Sequence, residues 1–354
     1  MAVIGTGLAE KLKIHRFPQS KYIDALRWLS PLSASDRFVV LALHDSDSDA
    51  SSIEIHALDH SNLNLQSSWI PPSRISSLRV SQTPHKPLVA ASTFAGSLHI
   101  LFPDPVDASL ESELSLPENS LHIGPISGID LQGSGCECVC VGEDGRVNLI
   151  HVGDSRLNYC QVFDSHGLVS YTAAKWASPA EFGTGGFGHS LQWWDQRKPG
   201  GAVSQLKGNW AQSTSSGIVH CIDIHPSRKH ICLAGGSAGT VFAWDLRWQQ
   251  QPIILSGIGP GETAAISPSE SEVWEVQFDC YMQSSNISSM SSSRILPVMM
   301  ASEDGILAVV EQGEEPIEVL AEPCAINSFD INQQNPSDVI CSLEWESIAI
   351  LTRR

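Results

Sequence analysis

Three groups of residues in this chain have types and spacings that could do chemistry. Cys136, Cys138 and Cys140 alternate along one stretch, and thiolates gathered on one face could hold a soft metal. His220 and His225 stand close in sequence and offer ring nitrogens as metal ligands. Glu-Asp-Gly occurs twice, in Gly142-Glu143-Asp144-Gly145 and Ser302-Glu303-Asp304-Gly305, and paired carboxylates are the usual equipment of general acid–base catalysis.

Each group also has a plainer reading, and the plainer one is preferred. Alternate residues of a strand share a face, but a zinc site wants C-x-x-C pairs with a second pair or a His, and none is so arranged. The three thiols therefore read as small buried core residues. His220 and His225 lie on a strand-to-turn segment and face opposite ways, and His225-Pro226 suits a turn. The acidic pairs fall at hairpin tips, where Asp-Gly supplies the turn conformation. Nothing matches G-x-S-x-G, H-E-x-x-H or a phosphate loop. No cluster of carboxylates is read at the first-strand positions where a channel site would be built. The chain is taken as a non-enzyme with no metal and no cofactor.

What positions these residues is a repeat. From Gly217 to Trp248 the chain reads GIVHCIDIHPSRKHICLAGGSAGTVFAWDLRW, three alternating runs separated by His225-Pro226-Ser227 and by a Gly-rich turn. Period-two alternation puts successive side chains on opposite faces, so the unit is an antiparallel meander. VGEDGRVNLI (141–150), STFAGSLHIL (92–101), GGFGHSLQWWD (185–195) and ASEDGILAVV (301–310) repeat it, with weaker copies at 43–58 and 341–352. The spacing is mostly roughly 40 to 50 residues, the period of a four-stranded propeller blade.

Seven units predict an all-β, seven-bladed WD40 propeller with four antiparallel strands per blade, occupying residues 1–354 as one domain. The last unit stops one strand short, and residues 11–18, KLKIHRFP, form an alternating segment that belongs to no earlier sheet. Pairing the two closes the ring and removes two strand edges. Gly96, Asp144, Gly145, Gly239, Asp304 and Gly305 are assigned to hairpin turns. Trp194, Asp195, Ser237, Trp244 and Asp245 are assigned to WD-type structural positions, with the two Trp rings packed between blades. Trp28 and Trp274 fall in first strands beside the channel; they are the candidate partner-facing aromatics, although burial in the core is the preferred reading for both, since aromatic side chains dominate core burial. The Ser-rich segment 280–294 lacks period and is expected to be a mobile surface insertion in blade six. With 257–271 it marks one rim, where Ser phosphorylation could act.

Composition narrows the function. The net charge is −18 over 354 residues and the pI is about 5.0, a field that repels phosphate backbones and speaks against direct nucleic-acid binding. No signal peptide is read in MAVIGTGLAEKLK, and no stretch approaches a membrane span. Most of the nine Cys lie in apolar strands, as reduced thiols do, so the chain reads as a soluble intracellular protein.

On VGEDGRVNLI, HPSRKHICLAGGSAGTVFAWDLR, and EVWEVQFD followed by SEDG, the chain resembles the nucleoporin forty-three family. These are the small WD-repeat nucleoporins of the outer-ring Y-shaped subcomplex of the nuclear pore, here in a plant-type form. The resemblance implies a structural scaffold subunit at the nuclear envelope, likewise bound to short-arm nucleoporins of the Y complex. It also implies support of pore assembly, mRNA export and nucleocytoplasmic protein transport, with no catalytic residues to carry over. The strongest WD repeats place Gly-His before the first strand and an Asp in the hairpin, bonded through Ser or Thr to the Trp. Blade five has Ala238 at the Asp position and blade six has Val309-Val310 in place of Trp-Asp, so neither is expected to complete that network. Other readings of a propeller are an adaptor, such as a ubiquitin-ligase substrate receptor or histone-peptide reader, and a channel hydrolase.

Overall fold

The computed structural model describes residues 12–353 apart from 30–36, 60–61, 84–85, 105, 189, 199, 208–216, 238, 248–251, 257–267, 282–294 and 345–346. The described residues form seven four-stranded antiparallel sheets, six of them simple meanders and the seventh a three-strand meander completed by a strand from the other end of the chain. The innermost strands are Tyr22–Leu29, Ile75–Gln82, Ile126–Leu131, Tyr171–Ser178, Val219–Ile224, Val273–Phe278 and Phe329–Ile331. Each packs against the innermost strand of the next blade, and the last against the first. This is the seven-bladed ring that the repeat predicts.

Within a blade, burial follows strand position. Second strands such as Pro87–Thr93 and Ile231–Gly236 are buried along their whole length, because both faces are covered by neighbouring blades. Outer strands such as Leu157–Asp164 are largely exposed or half-buried. Seven apolar clusters lie between successive blades, and the seventh joins blade seven to blade one through Ile340, Ile348 and Ile350 against Ile23, Leu26 and Val39. Full burial of a Leu or Ile contributes about 2 kcal/mol, so most of the cohesion between blades is stored in these seams.

Closure occurs in blade seven. Leu12–Pro18 pairs antiparallel with Ser347–Arg353, from Leu12 opposite Arg353 to Pro18 opposite Ser347. The added strand contributes little apolar burial: Leu12 and Phe17 are half-buried against the clusters on either side, while Ile14 is exposed. Its attachment is chiefly the hydrogen-bonded ladder, reinforced by an ion pair from Arg16 to Glu322 at the end of blade six.

The meander gives the ring two faces. The upper face carries the hairpin turns between second and third strands and the crossings from blade to blade; the lower face carries the remaining turns. Gly145, at φ +83°, shows why Gly is needed in the hairpins, since a Cβ there would collide with Ser165 Oγ. The expectation of one mobile rim at 257–271 and 280–294 falls on residues 257–267 and 282–294, which lie outside the described residues. One expectation changes. Cys136 is exposed while Cys138 and Cys140 are buried, because the strand begins only at Glu137.

Candidate functional site: the channel mouth and its charged collar

The channel is lined by the seven innermost strands, and six of them share a defect. Blades one to six each carry a β-bulge near the upper end, between Ile23 and Ala25, Ile75 and Ser77, Ile126 and Gly128, Tyr171 and Ala173, Val219 and Cys221, and Val273 and Glu275. A bulge re-aims the extra residue. The extra residues are Asp24, Ser76, Ser127, Thr172, His220 and Trp274, and several reach toward the next blade. Asp24 binds the Arg74 guanidinium at 2.6 Å, Ser76 Oγ donates to Ile126 O at 2.7 Å, and Thr172 Oγ1 donates to Val219 O. His220 Nε2 lies 2.6 Å from Glu272 Oε2, and its ring lies 4.7 Å from that of Trp274.

Three residues further along each strand, a second set of side chains lines the channel: Arg27, Arg79, Asp130, Lys175, Asp223, Gln277 and, in blade seven, Asp330. Three are cationic, three are acidic and one is an amide, so this collar is balanced in a protein of strongly negative charge. Carboxylates therefore do recur at first-strand positions, contrary to the sequence reading. They are interspersed with cations and an amide, which hides them from a search for acids alone.

The collar fastens neighbouring blades around most of the ring. Asp130 Oδ2 accepts from Trp176 N at 2.8 Å, Asp223 Oδ2 from Phe278 N at 2.9 Å, Asp330 Oδ2 from Trp28 N at 2.8 Å, and Gln277 Oε1 from Ile331 N at 3.1 Å. Cations bridge the carboxylates. Lys175 Nζ lies 3.6 Å from Asp130 and 3.8 Å from Asp223, and the Asp130 charge, working against burial, holds the amine above its ordinary range. Arg27 pairs with Glu275 at 2.7 Å. Burial pushes the Asp330 carboxyl up to about 6, against the pull of Arg27, and raises Asp223 as well. With one oxygen of each Asp held by the neighbouring backbone, the arrangement fixes geometry.

The sequence-assigned positions fall into place around this frame. Trp28 is 7% exposed and its Nε1 donates to Asp330 O at 3.1 Å. It is a wall of the blade-seven seam, as the core reading has it and not the partner-facing one, because its strand turns that face into the cluster with Ile340. Trp274 is half-buried at the upper mouth, with Nε1 on Glu303. Trp194 donates to Thr184 Oγ1 at 2.9 Å and stacks on Phe182, within the cluster between blades three and four. Trp244 lies between blades four and five. Asp195 and Asp245 each hold an Arg two residues on, Arg197 and Arg247, through backbone and side chain. Ser237 Oγ accepts from Ile218 N. Gly96, Gly145, Gly239 and Gly305 all have positive φ; Ala238, the residue before Gly239, lies outside the described residues.

The hairpin acids do more than turn the chain. Asp144 Oδ1 lies 2.9 Å from His122 Nδ1, and its Oδ2 accepts from Ile123 N at 2.8 Å. Burial works to raise this carboxyl, but His122 and the backbone donors together hold it below its usual range. His122 is fully buried, and its Nε2 meets Cys140 Sγ and Asn148. His122 escaped the sequence reading; the signal was its place just before a first strand, where WD repeats put the His of Gly-His. In blade six, Asp304 Oδ1 accepts from Ser302 and Ser269, and Val310, opposite Val298 as Trp244 is opposite Cys232, occupies the place of the Trp, one residue beyond the Val309 that the sequence assigned to it. Burial pushes the Cys138 and Cys140 thiols up, which disfavours the thiolate that a metal or a nucleophilic role would need. His225 is buried and accepts from Ser227 N and Arg228 N through Nδ1, while His220 stands at the mouth, so the structure does not bring the two together.

No family model matches the chain. It is 57% identical to the nuclear pore complex protein NUP43 of Arabidopsis thaliana, over 98% of this chain and 99% of that protein. It is also similar to nucleoporin Nup43 of Mus musculus, 28% identical, and of Homo sapiens, 27% identical, each across 54% of this chain and 48% of the relative.

Proposed function

Because this chain belongs to the NUP43 family of nuclear pore proteins, we propose that it is a structural scaffold subunit of the nuclear pore complex, resident at the nuclear envelope and without catalytic activity. The observation that carries this is the near full-length match to the Arabidopsis protein. The channel supports it, since its carboxylates are committed to holding neighbouring blades in register. A closed ring presents many loops at fixed geometry, which suits docking to several proteins at once.

In finer terms the subunit belongs to the short arm of the outer-ring Y-shaped subcomplex, binds other nucleoporins there, and serves mRNA export and protein transport by supporting pore assembly. Trp274 at the upper mouth is a contact for such a partner, as a half-exposed aromatic beside the channel. The test is affinity purification of the tagged chain with quantitative mass spectrometry, alongside imaging at the nuclear rim. Recovery of Y-complex subunits in fixed ratio is expected. A diffuse protein that recovers none of them would overturn the reading.

A further inference from the structure

Five large apolar side chains share one sector of the upper face. Ile70, Ile123 and Leu168 sit in the crossings into blades two, three and four, exposed by 79%, 67% and 89%, and Phe94 and Phe187 lie on the hairpin turns of blades two and four. Their loops are tied together. Phe94 N donates to Arg74 O in the crossing before it, Ile123 N to Asp144, Ser170 Oγ to Glu143 O, and Phe187 N to Ser170 O. Scattered exposed apolar residues are ordinary; five on linked loops of adjoining blades form a surface of the kind that marks a protein contact.

The charge around this sector selects its occupant. Glu118 and Glu143 are exposed beside it, and Asp47, Asp49, Glu270 and Glu303 are exposed elsewhere on the same face. The nearby cations Arg74 and Arg146 are engaged with Asp24 and with Asp144 and Asp164. A second copy of a chain with net charge −18 would be repelled. We propose that the upper face of blades two to four docks a nucleoporin segment that sets apolar side chains between flanking Lys or Arg residues. This rests on the scaffold reading above and adds to it the surface and the chemistry of the partner.

The experiment uses the full chain, tagged and purified with its nucleoporins from cells. Paired Ile123→Ser and Leu168→Ser should lower nucleoporin recovery about tenfold, equivalent to 1.4 kcal/mol, with an unchanged melting temperature. Paired Arg228→Glu and Lys229→Glu on the lower face should leave recovery intact. Leu168→Lys should lose more than Leu168→Glu, because only the cation repels a basic segment. Full recovery by the double Ser variant would overturn the proposal, and equal loss with either charge would overturn its basic partner. If the unaltered chain recovers no nucleoporin, the scaffold reading falls first and this proposal with it.

Discussion

The backbone N–H of Trp28 donates to the Asp330 carboxylate at 2.8 Å, joining residues at opposite ends of the chain through the same bond that links Trp176 to Asp130 inside it. The seam where the ring shuts is thus built like an interior junction. Removing the acceptor isolates its contribution. Asp330→Ala should destabilise the protein by about 1–3 kcal/mol, the cost of a buried N–H left unpaired. Asp330→Asn should restore most of that, since Gln277 already does the same work on Ile331 with an amide. Denaturant midpoints of the two variants decide it, and equal loss in both would show that the charge matters more than the hydrogen bond.

The same carboxyl gives a pH signature. Its folded value is raised to about 6 from an ordinary 3.8, so the folded protein holds this proton more tightly. That contribution is complete below about pH 4 and is lost as pH rises through 6. The difference in stability between wild type and Asp330→Asn should therefore shift against the wild type across that window, as measured by denaturation at fixed salt.

His225 works in the opposite direction. Burial, and next the Arg228 cation, press its imidazole down to about 4 from 6.5. Protonation would also place a hydrogen where Ser227 N and Arg228 N donate. Its contribution is present above pH 6.5 and lost as pH falls toward 4. His225→Asn, which keeps an acceptor, should flatten the acid limb of the stability curve; an unchanged limb would show that His225 is not its source.

The polar core of blade three should be costly to disturb. His122→Ala removes a fully buried ring that meets Asp144, Cys140 and Asn148, leaving polar atoms unpaired and a cavity. A loss of about 3 kcal/mol or more is expected, read as a drop in thermal midpoint. A loss under about 1 kcal/mol would mean that the network contributes little beyond shape.

Deleting residues 1–18 should expose the edge at Ser347–Arg353. Because Leu12–Pro18 is held mainly by its ladder, the blades should remain formed while the bare edge recruits other chains. Size-exclusion chromatography should show concentration-dependent oligomers, reversed by a peptide of residues 12–18. A truncated protein that stays monomeric would show that the strand is dispensable for edge protection.

The blades were legible because second strands such as Ile231–Gly236 are buried on both faces and third strands such as Val241–Asp245 end in recognisable turns. The closing strand was legible because alternation in KLKIHRFP had no other sheet to join. The channel was harder to read. A bulge at Asp24 or His220 shifts the alternation by one residue inside a short strand, so the apolar pattern breaks where the mouth begins. The collar escaped because its members mix cations, acids and an amide, and in blades one to six only their common distance from the bulge reveals them as one set. Trp28 stood between a core and a partner-facing reading for a related reason. Its neighbour Arg27, and not the ring, turns toward the axis.

Pairing Leu12 with Arg353 also brings the first and last described residues side by side at the lower edge of blade seven, well away from the apolar sector above blades two to four. The two described ends therefore leave from a single corner of the disc. A circular permutant joined there and reopened at another lower-face turn would keep its outline while moving the break to a different blade.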